Sequence, residues 1–204
     1  MCVVSGSRSD YDLLKPIMYR LKQDKAFNLI CAVTGSHLLS KHGYTYKKII
    51  NDGFKINNKI KILSTEDNEQ SILKSISKGI TSFGKMFSKK KPDGVIVLGD
   101  RFEILAATIS AAFIKIPIFH ISGGEVSEGA IDENIRHAIS KFSNYHFVAN
   151  KIYKKRVIQL GENPKNVFCV GSTGPENINK KDFFNLLDLE KNLKFKFKTN
   201  IKRV

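Results

Sequence analysis

Short apolar runs alternate along the chain with longer stretches in which apolar residues recur at helical spacing. The runs at residues 2–5, 94–98 and 117–121 have the length of buried strands, and the nearly all-apolar stretch 102–114 predicts a buried helix. Strands that alternate with helices of this length predict an α/β fold with a doubly wound parallel sheet. The predicted strands are residues 2–5, 28–34, 59–63, 94–98, 117–121, 146–149 and 167–170. The predicted helices are residues 11–23, 44–51, 65–88, 102–114, 132–142 and 151–160.

The longest of these helices, residues 65–88, has a clear apolar periodicity. Ile72, Leu73, Ile76, Ile80 and Phe83 recur at the spacing that places side chains on one helical face. We therefore expect these residues to share one face of the helix.

The three cysteines and the net charge narrow the class of protein. Cys31 and Cys169 lie in apolar strand-like runs, so buried free thiols are expected rather than a disulfide framework or a zinc site.

The formal charge of +15 comes from 34 basic residues, of which 28 are lysines. These lysines lack the aromatic stacking platform of a nucleic-acid groove, so no nucleic-acid partner is expected. The positive electrostatic field of such a chain would still attract an anionic small molecule.

Neither a membrane span nor a secretion signal is visible in the sequence. Spanning a bilayer takes about 18 to 20 consecutive apolar residues, and the start MCVVSGSRSD has no basic region followed by an apolar one. We therefore expect a cytoplasmic protein without a membrane partner.

Charged residues gather where the predicted strands end, which is where open α/β sheets build ligand sites. GSRSD follows the first strand, and Arg8 at its tip could grip an anion, although an ordinary strand-to-helix turn is the alternative. Asp100 and Arg101 follow the fourth strand, where Asp100 could instead cap the next helix. Glu103 could in turn interact with the dipole of that helix.

The stretch HISGGE follows the fifth predicted strand. The Gly-Gly pair permits a backbone turn closed to other residues, which would direct Glu125 into the same crevice as Asp100. A buried acid beside apolar walls can act as a general acid near neutrality. The alternative is a glycine-rich connection with a solvated Glu125.

The segment DENIRH, residues 132–137, brings two acids and two bases together on one predicted helix. Glu133 and His137 are four residues apart, as are Asp132 and Arg136, so each pair shares a face. Two ordinary surface ion pairs are the alternative to a functional role. The histidines and acids lack the spacing of a metal site, so no metal is expected.

Several motifs together carry a family resemblance. The segments GSRSDYDLL, TGSHL, GDRFE, HISGGEVSEGAIDENIRHAISK and GSTGPENI resemble the hydrolysing UDP-N-acetylglucosamine 2-epimerases of sialic and legionaminic acid synthesis. The resemblance implies two Rossmann-like halves in the glycosyltransferase-B architecture, with a nucleotide-sugar in the cleft between them. It implies no nicotinamide cofactor and no metal.

The resemblance also implies a reaction and roles for the candidate residues. UDP leaves C1 as the C2 proton is lost, and water then adds to the glycal to give N-acetylmannosamine. By motif position, the acid and base candidates are Asp100, Glu125 and either Glu133 or Asp132. The residues expected to bind or orient the substrate are Arg8, Arg101, His120, Arg136, His137, Ser172 and Thr173.

One departure from the family pattern and several alternatives accompany this interpretation. Ser122 occupies a position where relatives carry an acid or a histidine, which makes Glu125 the fallback acid. The sugar could instead be UDP-N,N′-diacetylbacillosamine. A non-hydrolysing epimerase is disfavoured because GSRSD and HISGGE stand where it carries GTRPE and HVEAG. A non-catalytic binding module is the alternative from another class.

The resemblance covers the N-terminal half of such an enzyme. We expect residues 1–178 to form its first domain and residues 179–204 to be a connecting helix and the start of a second domain. The second half of the family carries most uridine contacts, so the 204-residue chain alone is expected to have no appreciable activity. A complete protein is expected to form a homo-oligomer.

Overall fold

The computed structural model describes residues 1–64, 68–174 and 185–197, and its strands form one parallel sheet in the order β3-β2-β1-β4-β5-β6-β7. The predicted doubly wound α/β fold is therefore confirmed. The strands are β1 Cys2–Ser5, β2 Ile30–Val33, β3 Asn58–Lys59, β4 Val95–Leu98, β5 Ile118–Ile121, β6 Tyr145–Val148 and β7 Val167–Cys169. The helices are α1 Arg8–Gln23, α2 Tyr46–Asn51, α3 Glu69–Lys90, α4 Phe102–Phe113, α5 Ile131–Phe142, α6 Lys151–Gln159 and α7 Leu186–Leu193.

The strand order reverses at β1. This strand pairs with β2 on one side and with β4 on the other, so Val3 lies between Cys31 and Ile96. In open parallel sheets a reversal of this kind leaves a crevice at the carboxyl ends of the strands, where ligands bind. The turns that follow β1, β4 and β5 all open onto this edge.

Two apolar layers enclose the sheet. On one face, Val4 and Val97 belong to a core with Phe83 of α3 and Ile104 of α4. On the other face, α1 contributes Tyr11, Leu14 and Met18 to a second core. Because both faces of the central strands are covered, these strands are continuous apolar runs, as the sequence pattern indicated.

The third strand is shorter than predicted. The strand comprises Asn58–Lys59, which pairs with β2, whereas the predicted strand ran from residue 59 to residue 63. Ile60 still donates its N–H to Val33, at 2.8 Å, but its carbonyl accepts from the hydroxyl of Thr34. This side-chain bond replaces the next rung of the ladder, and the chain leaves the sheet.

The predicted apolar set of α3 is buried only in part. Phe83 is fully buried, whereas Ile72 and Leu73 are exposed. Gly79, which is not apolar by pattern, is also buried, and a Cβ atom there would lie 2.8 Å from Cβ of Ala106 in α4. The two helices therefore approach closely at Gly79.

The remaining sequence predictions have mixed outcomes. Cys31 is buried as expected, and burial raises the pKa of its thiol to about 12. Cys169 is exposed, so the prediction of a buried thiol was wrong there. Among the described strands, β7 lies at the edge of the sheet and pairs with β6 alone. The predicted domain boundary at residue 178 lies outside the described residues. Among the helices that are described, none is long and apolar enough to cross a bilayer.

Candidate active site

Three turns at the carboxyl edge of the sheet carry the candidate residues. Residues 6–10 follow β1, residues 99–101 follow β4 and residues 122–125 follow β5. Because these strands are neighbours in the sheet, their turns meet at one edge. Arg8 lies exposed at the first residue of α1 on this edge.

Arg136 of α5 ties two of these turns together. Its guanidinium forms an ion pair with Asp100, and it donates to the carbonyl of Glu125 at 2.7 Å and to the hydroxyl of Ser127 at 2.8 Å. The side chain of Arg136 is 4% exposed. Asp100 makes this ion pair, and α4 has no side-chain cap at its start, so the capping alternative for Asp100 does not hold.

Gly123 and Gly124 allow the loop after β5 to pack closely against α5 and α6. Gly124 has φ +78°, and a Cβ there would lie 2.5 Å from the carbonyl oxygen of Tyr153. A Cβ on Gly123 would lie 3.1 Å from the hydroxyl of Ser140. Ser122, with φ +66°, adopts the left-handed conformation without being glycine. Such conformations concentrate at functional sites, and here one begins the loop that carries Glu125.

Glu133 is held by three groups at once. Its carboxylate accepts from Arg156 at 2.7 Å and from the backbone N–H of Ser127 at 3.1 Å, and it lies 3.4 Å from His137. The bond from Ser127, together with the charges of Arg156 and His137, lowers the pKa of Glu133. The predicted Glu133–His137 pair is confirmed. This arrangement suits a carboxylate that fixes the loop better than one that carries protons.

Asp132 has a different environment from its neighbour Glu133. It lies exposed in the first turn of α5, and the alternative of an Asp132–Arg136 surface pair was wrong, because Arg136 pairs with Asp100. The negative charge of Asp132 is one of those that raise the pKa of Arg101 on the same edge of the sheet. Asp132 is therefore the carboxylate of this helix that remains accessible to a ligand.

A second arginine–carboxylate cluster lies beside the first. Arg101 donates to Glu103 at 2.8 Å, and the side chain of Glu103 is 0% exposed. Within the described parts of the chain, the second carboxylate oxygen of Glu103 and Nε of Arg101 are buried without a hydrogen-bond partner. Burial alone would lower the pKa of Arg101, but the bond and charge of Glu103, with Asp10 and Asp132, raise it overall.

Sequence reasoning missed Asp10 as a candidate residue. It is buried beside Arg101 and accepts the N–H of Gly6 at 3.2 Å, and burial raises the pKa of its carboxyl. A Cβ on Gly35 would lie 2.8 Å from Glu103, which shows how tightly the turns after β1 and β2 enclose these acids. The final Asp of GSRSD was the available signal, but its burial depends on long-range packing.

His120 is a buried part of the framework. One ring nitrogen, Nε2, lies 2.9 Å from the carbonyl of Gly99, and Nδ1 lies 3.1 Å from the hydroxyl of Ser140. A carbonyl can only accept, so Nε2 carries the proton and Nδ1 accepts from Ser140. Burial lowers the pKa of His120 to about 3. The neutral ring holds the backbone immediately before Asp100.

His37, in the TGSHL segment, is a second buried histidine that was not singled out as a site residue. Its ring nitrogens lie 2.9 Å from the hydroxyl of Ser5 and 2.8 Å from the hydroxyl of Thr45. Burial lowers the pKa of His37 to about 4. It joins the end of β1 to the loop that precedes α2.

Ser172 and Thr173 follow β7. They line a 310 Å³ cavity whose other walls include the apolar side chains of Ile96, Phe119 and Phe147. The structure therefore places them on the face of the sheet that α1 covers. Within the described residues, no three acids, histidines or cysteines stand close enough together to hold a metal ion.

The sequence model of the UDP-N-acetylglucosamine 2-epimerase family matches residues 19–203. The chain belongs to this family. It is 43% identical over 196 residues to the hydrolysing GDP/UDP-N,N′-diacetylbacillosamine 2-epimerase of Campylobacter jejuni, covering 96% of this chain and 51% of that protein. It is 40% identical to the hydrolysing UDP-N,N′-diacetylbacillosamine 2-epimerase of Legionella pneumophila, covering 89% and 49%. The chain thus spans about half the length of the curated relatives it matches.

Solved structures of the family share the fold. UDP-GlcNAc 2-epimerase from Neisseria meningitidis, determined with UDP-GlcNAc bound, superposes with a TM-score of 0.76 at 21% identity. The match covers 95% of this chain and 50% of that one. The glycosyltransferase-B-like fold expected from the motifs is confirmed for the half that this chain represents.

Proposed function

We propose that this chain supplies the acid-bearing half of a hydrolysing UDP-sugar 2-epimerase. The observation that carries the proposal is the Asp100–Arg136 pair at the carboxyl edge of the sheet, with Asp132 exposed in the first turn of the helix that carries Arg136. Family membership supports the reaction class.

The reaction is an elimination followed by a hydration. A carboxylate takes the C2 proton while the bond from C1 to the UDP oxygen breaks, and the leaving diphosphate takes the electron pair. Water then adds across the C1–C2 double bond, placing a hydroxyl on C1 and a proton on C2. Inversion at C2 requires that the proton leaves one face of the ring and returns to the other, so two proton-transfer groups are needed.

The two clusters suggest how these roles divide. Asp100, oriented by Arg136, is assigned to removal of the C2 proton. Asp132, exposed at the start of α5, is assigned to the opposite face, with Glu125 as the alternative acid. Glu133 and His120 hold the loop and the backbone in place. The basic groups Arg8 and Arg101 are assigned to the diphosphate or the sugar.

Two UDP-sugars are candidates for the substrate. UDP-N-acetylglucosamine fits the family as a whole. UDP-N,N′-diacetylbacillosamine is favoured by a specific observation, since the Campylobacter and Legionella relatives named for that sugar share 43% and 40% identity with the chain.

A chimera tests the proposal. This chain replaces the matching half of the Campylobacter jejuni epimerase, and UDP release is followed with both UDP-sugars, with NMR of the sugar product. We expect activity that falls at least about 100-fold in Asp100→Asn, because proton-transfer groups typically contribute 10²- to 10⁴-fold. Asp93→Asn, a change of the same kind at an exposed position, is the matched control and should keep full activity. A folded but inactive chimera, or full activity in Asp100→Asn, would contradict the proposal.

A further inference from the structure

Arg156 joins α6 to the start of α5. Its Nη2 donates to Oε1 of Glu133 at 2.7 Å, and the side chains of Arg156 and Glu133 are 33% and 23% exposed. In the sequence, Arg156 ends the short basic run of residues 154–156, which has the pattern of an ordinary solvated surface. The ion pair instead connects Arg156 to the acids at the carboxyl edge of the sheet.

Glu133 extends this contact to the loop of residues 125–130. Its Oε2 accepts the backbone N–H of Ser127 at 3.1 Å, so the two oxygens of one carboxylate hold α6 and the loop. The hydroxyl of Ser127 in turn accepts from Arg136 at 2.8 Å, and Arg136 pairs with Asp100. A continuous series of bonds therefore runs from α6 to Asp100.

Both proposed proton-transfer groups lie on or beside this series. Asp100 is its last member, and Asp132 is the neighbour of Glu133 in the first turn of α5. A bond between charged groups is shorter and more closely directed than one between neutral groups, so Arg156 limits where the Glu133 carboxylate can lie. A displacement of about 1 Å can cost about 100-fold in rate, so the position of this carboxylate matters for catalysis.

Among the described residues, Glu133 has no equivalent replacement for Arg156. His137 lies 3.4 Å from the same oxygen, but it carries a charge only when it is protonated. The other bond comes from the backbone N–H of Ser127 in the loop itself, and it cannot hold the loop to α6. We therefore expect the loop and the Glu133 side chain to shift together once Arg156 is lost.

We propose that Arg156 is a positioning residue of the epimerase reaction. It acts through Glu133 rather than on the substrate, and it fixes the loop of residues 125–130 against the start of α5. This inference rests on the proposed function, and it adds α6 to the elements on which catalysis depends.

Activity of the chimera with the second half of the Campylobacter jejuni epimerase gives the first test. Arg156→Ala should lower kcat about 10- to 100-fold and leave the KM within about twofold of wild type, because the acids shift while the substrate-binding groups stay. Arg156→Lys keeps the charge and should recover part of the activity. Lys155→Ala removes a positive charge at the preceding, exposed position of α6; it is the matched control and should keep full activity.

A double variant shows whether Arg156 acts through Glu133. Glu133→Gln removes the acceptor charge, and adding Arg156→Ala to it should cause little further loss of kcat, since both changes break the same contact. Losses that multiply, or an Arg156→Ala chimera with wild-type kcat, overturn the inference and leave the proposed function standing. A folded chimera that is inactive with both UDP-sugars contradicts the proposed function and, with it, the inference.

Amide hydrogen exchange in the 204-residue chain is a second readout, independent of activity. Arg156→Ala should speed exchange at the Ser127 amide by about tenfold and leave the amides of β4 unchanged, because the loop is released while the sheet is not. Faster exchange throughout the sheet would show a general loss of stability and would overturn the positioning role.

Discussion

The two arginine–carboxylate clusters at the sheet edge differ in how completely they are bonded. Arg136 is almost fully buried and bonds Asp100, Glu125 and Ser127 together. Arg101 is half-exposed, and both it and Glu103 keep a buried polar atom without a partner among the described residues. The same pair of residue types thus forms a fully bonded arginine that orients Asp100 in one place and an incompletely bonded pair in the other. The arginine of the first cluster is therefore a fixed part of the proposed site, whereas the arginine of the second is partly exposed to solvent.

Among the variants considered, removal of the Arg136 side chain should lower the free energy of unfolding most. Arg136→Ala leaves Asp100 without its partner and frees the loop at Ser127, and breaking a buried ion pair typically costs 3–5 kcal/mol. Because the Asp100 side chain is 26% exposed, we expect a loss near the lower end, about 3 kcal/mol in the free energy of unfolding. Urea unfolding measures it. Arg20→Ala, at an exposed position of α1, should stay within about 0.5 kcal/mol of wild type. A loss under 1 kcal/mol for Arg136→Ala would show that the cluster is not a framework.

A pair of glycines in the same loop should separate close packing from backbone strain. Gly124 and Gly129 have φ values of +78° and +74°, but only Gly124 lies against other atoms, with the carbonyl of Tyr153 2.5 Å from the position of a Cβ. We expect Gly129→Ala to cost about 1 kcal/mol from strain, and Gly124→Ala to cost about 2 kcal/mol more from the clash. Urea unfolding of both variants gives the difference. Equal losses would mean that the loop moves freely away from α6.

The sequence was sufficient to predict the sheet, because its strands are buried on both faces and therefore continuous in apolar residues. It failed where contacts between elements decide the outcome. The apolar stripe of α3 did not show that Ile72 and Leu73 are exposed, or that Gly79 is buried where α4 approaches closely. Cys169 was placed inside because its run is apolar, yet it lies on an edge strand.

The candidate site was predictable as a location but not as a set of partners. The acids were expected at the carboxyl edge, and Asp100 and Arg136 do lie there. The spacing of four residues suggested that Arg136 pairs with Asp132, whereas the fold brings Asp100 to it from another turn. Asp10 and Glu103 were overlooked as site residues because an acid in a helix's first turn usually serves the helix, and only packing shows that these two are buried together.

Each cluster has its own buried histidine, and these give a further comparison. His120 stands beside the Arg136 cluster and His37 beside the Arg101 cluster; burial lowers both pKa values from the ordinary 6.5, to about 3 and about 4. In each case the nearby arginine adds to the lowering. A histidine with a lowered pKa binds fewer protons in the folded state than in the unfolded state. The free energy of unfolding is therefore highest above pH 6.5, the pKa of the unfolded histidine. It falls as the pH drops from 6.5 toward the pKa of the histidine in the folded state.

Acid should therefore weaken the protein before either ring is protonated in the folded state. Between pH 7 and pH 5 we expect each histidine to remove about 2 kcal/mol from the free energy of unfolding, measured by urea titration at each pH. The clusters should then diverge in NMR titrations of the imidazole signals. At pH 4 the His37 ring, with its pKa of about 4, should be about half protonated, while the His120 ring, with its pKa of about 3, remains mostly neutral. As the pH falls, the neutral histidine beside the Arg101 cluster, His37, is therefore protonated before the one beside the Arg136 cluster, His120. Protonation of His120 before His37 would reverse the ranking of the two clusters, and a free energy of unfolding that stays constant from pH 7 to pH 5 would mean that neither ring is buried as described.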